Sequence, residues 1–110
     1  MIKAIQHNCA RSYTWTLAVL ETGVDRKADL GLLQELLWAE GRIGISHPVY
    51  EIRKRKRVWT AVCKGSGLAT DERTDLGGGA NNNFMMTDVN RRGERMTRII
   101  NVYNQRDVQT

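Results

Sequence analysis

The segment from Met96 to Tyr103 has a good β-strand pattern, in which a mostly apolar set of side chains alternates with a mostly polar or amphipathic set. This pattern constrains the fold more than any other in the sequence. Met96, Arg98, Ile100 and Val102 form one set, and Thr97, Ile99, Asn101 and Tyr103 form the other. A period of two is the pattern of a β-strand. The shorter runs Ile2 to Asn8, Val58 to Cys63 and Phe84 to Val89 also favour strands.

One segment has clear helical spacing. Ser12 offers an N-cap oxygen, and Trp15, Ala18 and Val19 then share one face of a helix. Gly23 is a typical stop for such a helix. One helix among several strands predicts a domain of the α+β class.

The segment from Leu30 to Glu40 is ambiguous. Its apolar residues keep helical spacing, and Leu, Gln, Glu and Ala are good helix formers. A buried strand that ends near Glu35 is the alternative, because periodicity alone does not assign a short apolar run. The residues alone lean towards a helix.

The chain has 110 residues, 41% of them hydrophobic and 26% charged, which predicts one globular domain over residues 1–110. The longest uncharged apolar stretch is too short to cross a bilayer, and no secretory leader pattern opens the sequence. We therefore expect an intracellular protein, nuclear or cytoplasmic, without a membrane partner. In that setting Cys9 and Cys63 are expected to be reduced thiols.

The net charge of +5 comes from one place in the sequence. Of 17 basic residues, five form an unbroken run: Arg53, Lys54, Arg55, Lys56 and Arg57. The other 12 balance the 12 acidic residues. Such a cluster is typical of a surface that contacts the phosphates of nucleic acid. A solvated turn is the equally open alternative.

Three short pieces end apolar runs with polar residues: QHNCARS from Gln6, LQE ending at Glu35, and NVYN from Asn101. In this order they resemble the opening of the endonuclease/exonuclease/phosphatase superfamily. The stretches QHNCARS, LLQE, ERTDL and RIINVYN look closer still to the endonuclease domains of fungal non-LTR retrotransposons. The resemblance extends from Ile2 to about Arg106.

The resemblance implies a fold and a site. The fold would be the N-terminal part of a four-layer α/β/β/α sandwich, in which Leu30 to Glu35 is a strand. Glu35 would hold a divalent cation, Mg²⁺, and Asn8 would orient the phosphate or the water around that metal. Tyr103 would hydrogen-bond the phosphate region. A hard cation needs such carboxylate oxygen, and one carboxylate plus water is an ordinary Mg²⁺ shell.

The chain also departs from the family pattern. The family's Asp-x-Asn and Ser-Asp-His motifs lie beyond the equivalent of Thr110, and neither His7 nor His47 matches their histidine. The resemblance therefore implies a truncated endonuclease domain that cuts DNA only with the missing C-terminal half of the same domain. A non-catalytic nucleic-acid-binding remnant is the alternative. The retrotransposon-like motifs disfavour a lipid or inositol phosphatase of the same superfamily.

Overall fold

The computed structural model describes residues 2–35, 46–54, 57–73 and 84–103. These residues form one helix and seven strands. In chain order they are β1 (Ala4–Asn8), α1 (Tyr13–Asp25), β2 (Leu30–Gln34), β3 (Tyr50–Lys54), β4 (Val58–Cys63), β5 (Leu68–Glu72), β6 (Phe84–Arg91) and β7 (Thr97–Val102).

The first sheet has four strands in the order β1-β2-β4-β3. β1 and β2 are parallel, with Asn8 opposite Gln34, and the other two pairings are antiparallel. A parallel pair needs a crossover connection, and α1 provides it. The carboxyl ends of β1 and β2 consequently lie at the same edge of the sheet as the end of β3 and the start of β4.

The helix that the residues favoured over Leu30 to Glu40 is wrong for its first half, because Leu30–Gln34 is a strand. Both faces of this strand are covered. Leu33 packs in the cluster beneath α1, and Leu30 packs with Val62 and Val89 between the sheets. A strand buried on both faces becomes a continuous apolar run, which hides its period of two. Residues 36–40 lie outside the described residues.

Helix α1 begins as the sequence predicts but buries a different face. The Ser12 side chain accepts a hydrogen bond from the Trp15 amide at 3.0 Å, which confirms the N-cap. Val19 is buried, whereas Trp15 remains 47% exposed. The buried stripe consists of Thr16, Val19, Leu20 and Gly23.

Gly23 does not end the helix, which continues to Asp25. It lies inside the last turns because the helix passes very close to β3 there. A Cβ at Gly23 would be 2.7 Å from the Tyr50 hydroxyl oxygen. That hydroxyl donates to the Ala28 carbonyl at 2.9 Å, so the ring is fixed against the helix. The glycine therefore permits contact between α1 and β3.

The second sheet, in the order β5-β6-β7, is antiparallel and packs on the first. β7 contacts β2 and β4, and β6 contacts β4. On the other side, Arg53 of β3 donates to Thr70 of β5 at 3.3 Å. Among the described strands, β5, β6 and β7 thus pack mainly on β3, β4 and β2, and β1 lies at the edge of its sheet beside β7.

The outer face of the second sheet carries an ionic network. Asp88 of β6 is 6% exposed and receives two hydrogen bonds from Arg98 of β7, at 2.7 and 3.1 Å. Arg73 adds a third at 3.1 Å. The Arg98 hydrogen bonds, more than any other contact, hold the pKa of Asp88 below its usual value although burial opposes this. The pairing fixes β6 against β7.

The described residues confirm a mixed α/β fold with two face-to-face sheets and one helix outside the first. No helix among them is long and apolar enough to span a bilayer.

Candidate active site

The polar residues singled out in the sequence meet at one end of the two sheets. The amide of Cys9 donates to the Gln34 carbonyl at 2.8 Å, so β1 and β2 remain paired up to their last residues. Beside this end lies an open cleft of about 430 Å³. Its lining comprises Gln6, His7, Asn8, Gln34, Val102 and Tyr103.

A tight turn after β1 fixes Asn8. Its Oδ1 accepts the Ala10 amide at 2.8 Å, and the Ser12 amide donates to the Cys9 carbonyl at 2.9 Å. Ala10 and Arg11 have φ angles of 50° and 56°, in the left-handed region that side chains disfavour. Such residues cost on the order of 1–3 kcal/mol each and persist only where the surroundings enforce them. Here the Asn8 side chain and the cap of α1 enforce them.

Glu35 is held from both sides immediately after β2. Its amide donates to the Arg57 carbonyl and its carbonyl accepts the Arg11 amide, both at 2.8 Å. Its φ of 55° is also left-handed. The side chain is 23% exposed, and its Oε1 lies 3.8 Å from Nε of Arg11. Glu35 is therefore the next residue after Gln34 of the cleft lining, and its carboxylate lies beside the Arg11 guanidinium.

Tyr103 follows β7 and reaches the same cleft. It is half-buried, and it lines the opening together with Asn8 and Gln34. The structure thus places Asn8, Glu35 and Tyr103 around one end of the sandwich.

Asn101 supports this end of the molecule from beneath. It is 1% exposed, accepts from Nε2 of Gln34 at 2.6 Å and donates to the Trp59 carbonyl at 2.8 Å. These bonds join β7 to β2 and β4. The sequence analysis did not predict a role for Asn101 beyond its place in the NVYN motif, although its position in β7 indicates one. Asn101 is an amide in the inward-facing set of an alternating strand.

The basic run is not a single exposed loop. Arg53 and Lys54 belong to β3, and Arg55 and Lys56 lie outside the described residues. Arg53 extends between the sheets, where it contacts Thr70 and, at 2.8 Å, Glu51. Successive strand residues face opposite sides. Arg53 and Lys54 therefore extend from opposite faces of the sheet.

Lys54 lies on the helix-facing side of the sheet. Its Nζ is 4.8 Å from the centre of the Trp59 ring, a cation–π contact. Burial lowers its pKa, since the protein replaces part of the water around the ammonium group. Arg57 is different, because its backbone is bonded to Glu35 at the candidate site. Among the described members of the run, Arg57 is the best placed for a ligand at that end.

The two histidines have different environments. The His7 ring packs edge-on against Trp15 with centroids 5.3 Å apart, and its Nδ1 donates to the Asn8 carbonyl at 2.9 Å. It also contributes to the cleft lining. His47 precedes β3 at the opposite end of the sheet, where Nε2 contacts Glu21 at 2.5 Å and Nδ1 accepts from the Val49 amide. His47 is therefore structural.

The residues at this end suit a hard cation held largely by water. The described residues contain no group of three or more His, Cys, Asp or Glu side chains that could enclose a metal. One carboxylate, that of Glu35, lies at this end in a long ion pair with Arg11, and Mg²⁺ commonly binds one or two carboxylates and several waters. The adjacent Cys9 is unsuited to nucleophilic chemistry, because it is fully buried and desolvation raises the pKa of its thiol. Cys9 and Cys63 are both free, as expected.

Comparison with known proteins identifies the fold. No protein-family model matches the chain, and no curated protein matches it in sequence. Among solved structures, it is similar to the endonuclease domain of TRAS1, a telomere-specific non-LTR retrotransposon, with a TM-score of 0.74 and 16% identity. The match covers 96% of this chain and 45% of that one. The chain therefore has an endonuclease-like fold and spans less than half the length of the TRAS1 domain.

Proposed function

We propose that this chain is the N-terminal part of a metal-dependent endonuclease domain that cuts DNA phosphodiester bonds, as in the target nicking of retrotransposons. The observation that carries the proposal is that Asn8 and Tyr103 line one cleft, with Glu35 directly after Gln34 of the same lining, in a fold like that of TRAS1. Such a role would place the protein in the nucleus or, before import, in the cytoplasm. The fungal origin suggested by the sequence motifs is part of the same proposal.

Each residue has a physical role in this scheme. Glu35 would hold Mg²⁺, which when bound would stabilise negative charge developing on the phosphate. The Asn8 amide group can donate to a phosphate oxygen, since its Oδ1 is occupied by Ala10. The Tyr103 hydroxyl would donate from the other wall of the cleft. Arg57, and Arg55 and Lys56 with it, would attract the DNA backbone without reading sequence.

In the family that the sequence resembles, the proton acceptor for the attacking water is a histidine that neither His7 nor His47 matches. His7 lines the cleft with its ring against Trp15 and its Nδ1 donating to the Asn8 carbonyl, and His47 lies at the opposite end of the sheet. We propose that further polypeptide of the same domain supplies this base. A lost general base typically costs about 10² to 10⁴ in rate. The 110 residues alone are therefore expected to bind DNA and not to cut it measurably.

The same further polypeptide would pack on the open side of the sandwich. β1 is an edge strand whose side chains are mostly exposed, and a groove of about 390 Å³ lies between it and α1. The groove has apolar walls from Ile5 and Val19, with Trp15 and His7 at its rim. Ile100 and Val102 of β7 are about half exposed on the outer face of the second sheet. Both sheets can accept added strands there.

Nicking of supercoiled plasmid tests the function. A chain extended through the downstream motifs should nick in Mg²⁺ and stop in EDTA, and Glu35→Gln should abolish nicking while leaving the circular dichroism spectrum unchanged. Glu94→Gln, in the turn between β6 and β7 at the far end of the sheets, is the matched control and should nick normally. Nicking that survives Glu35→Gln would show that the site is wrong.

The second candidate is a non-catalytic nucleic-acid-binding remnant of that domain. The ion pair between Arg11 and Glu35 favours it, because a carboxylate already neutralised binds a cation less well. The nicking assay on the extended chain distinguishes the endonuclease from the non-catalytic remnant. A remnant would bind duplex DNA with or without Mg²⁺ and would not nick.

A further inference from the structure

Arg11 is the basic side chain that the described structure places within ion-pair distance of Glu35. Its Nε lies 3.8 Å from the Glu35 carboxylate. The two residues are also linked through their backbones, since the Arg11 amide donates to the Glu35 carbonyl at 2.8 Å. Their relative position is therefore set by the main chain and not by the ion pair.

The ion pair itself is loose. A close charge-assisted hydrogen bond has a donor–acceptor distance of about 2.7–2.9 Å. The Arg98–Asp88 pair meets that distance at 2.7 Å around a carboxylate that is 6% exposed. The Arg11 side chain, by contrast, is 64% exposed. Its guanidinium can leave Glu35 without opening the fold.

We propose that Arg11 is a phosphate-binding side chain that neutralises Glu35 until a divalent cation binds this carboxylate. The inference rests on the proposed function, in which Glu35 is the metal ligand. The guanidinium and the cation compete for one carboxylate, and two positive charges beside the same carboxylate repel each other. Arg11 lies in the turn after β1, three residues beyond Asn8 of the cleft lining, so the released guanidinium can reach a phosphate in the cleft. Its planar fork matches two oxygens of a phosphate there.

Cation binding and DNA binding are then coupled through Arg11. The cation frees a positive side chain for the DNA, and a bound phosphate holds that side chain away from the metal ligand. Coupling of this kind is reciprocal, so each ligand raises the affinity for the other by the same factor. A basic residue elsewhere on the surface would contribute equally with and without the cation.

The test measures binding and requires no turnover. Mn²⁺ accepts the same oxygen ligands as Mg²⁺ and is visible by electron paramagnetic resonance, and a short labelled DNA duplex reports affinity by anisotropy. The variants are Arg11→Ala, Arg11→Lys and Glu35→Gln. Arg92→Ala, an exposed arginine in the turn between β6 and β7, is the matched control. Circular dichroism verifies that each variant is folded.

We expect Arg11→Ala to raise Mn²⁺ affinity by roughly threefold to tenfold, because a repelling charge is removed. In Mn²⁺ it should also weaken duplex binding and reduce the salt slope by about 0.9, and in EDTA it should change duplex binding much less. Arg11→Lys should restore the wild-type Mn²⁺ affinity and part of the DNA affinity. Arg92→Ala should change duplex binding equally in Mn²⁺ and EDTA.

Two results separate the failure of this inference from that of the proposed function. If Glu35→Gln leaves Mn²⁺ binding unchanged, the metal site and the proposed function are wrong, and the inference about Arg11 falls with them. If Glu35→Gln abolishes Mn²⁺ binding but Arg11→Ala does not raise it, the site stands and the role of Arg11 is wrong. Equal weakening of DNA binding in Mn²⁺ and EDTA by Arg11→Ala would also overturn it.

Discussion

Nε2 of Gln34 donates to Oδ1 of Asn101 at 2.6 Å, between residues on two different sheets. Both side chains are buried, and Asn101 also donates to the Trp59 carbonyl. The cleft therefore lies next to a buried set of hydrogen bonds that links the two sheets, because Gln34 belongs both to this set and to the cleft lining. In a core this small, such a link fixes how the sheets are placed relative to each other.

Removing those hydrogen bonds should be costly. Asn101→Ala removes a hydrogen bond from the Trp59 carbonyl. Among the described residues, it leaves Nε2 of Gln34 with only the Leu32 carbonyl at 3.2 Å. A buried polar group that loses its partner costs about 1–3 kcal/mol. We expect a total loss of roughly 2–4 kcal/mol in the free energy of unfolding, measured by urea denaturation. Asn90→Ala, on the outer face of β6, is the control and should cost far less. Equal losses in the two variants would mean that these hydrogen bonds contribute nothing special.

Gly23→Ala should destabilise the protein even though alanine favours helices. Alanine gains up to about 1 kcal/mol of helix propensity. The new Cβ, however, would meet the Tyr50 hydroxyl at 2.7 Å and the Ile5 side chain at 3.2 Å, where overpacking costs about 1–3 kcal/mol.

Tyr50→Phe provides the control for this prediction, because it removes the atom that the new Cβ would meet. In that background Gly23→Ala should cost less, with a coupling of at least about 0.5 kcal/mol in a double-mutant cycle. Strict additivity of the two changes would show that the close approach of α1 and β3 is not limiting.

Asp88 makes part of the stability dependent on acid. Its folded pKa is lowered, chiefly by hydrogen bonds from Arg98. Its stabilisation is therefore present above the unfolded value of about 3.9 and is lost as the pH falls through the lower folded value. Asp88→Asn should be less stable at neutral pH and should lose less stability below about pH 4. Urea midpoints at several pH values test this.

Asp25→Asn, an exposed substitution at the end of α1, is the control for that measurement. It should retain the acid sensitivity of the wild type. If Asp88→Asn has the same acid slope as Asp25→Asn, the ion network is not the source of the pH dependence.

The basic run should contribute unequally to DNA binding. Arg57→Ser should weaken binding to all duplexes alike and reduce the salt slope by about 0.9, as expected for one phosphate contact. Arg53→Ser should change the slope less, because this guanidinium is engaged with Thr70 and Glu51. Anisotropy titrations at several salt concentrations measure both. A larger slope change for Arg53→Ser would contradict the assignment of the two residues.

Local patterns in the sequence predicted the elements whose two faces differ. The alternation from Met96 to Tyr103 became β7, and the cap at Ser12 opened α1. β3 and β5 were not predicted. The charges in Tyr50–Lys54 and Leu68–Glu72 obscure their alternation, and pairing with β4 and β6 stabilises them. That pairing is non-local, and no local pattern contains it.

The sequence allowed the residues of the candidate site to be predicted, but not their positions relative to one another. The resemblance supplied Asn8, Glu35 and Tyr103, and residue spacing alone would have placed Glu35 on a helix. The left-handed backbone at Arg11 and Glu35, and the burial of Asn101, depend on contacts between segments far apart in the chain. Chemistry of single residues does not encode such contacts.

The two edge strands β1 and β7 have a consequence for amide hydrogen exchange. β1 and β7 each pair with one neighbour among the described strands, so about half of their amide protons point away from the sheet. Those protons should exchange with deuterium quickly, although they belong to regular strands beside a packed core. If another polypeptide paired with these edges, the exchange of the same amide protons would become slow. The exchange rates of the amide protons in β1 and β7 therefore report whether another polypeptide is bound at these edges.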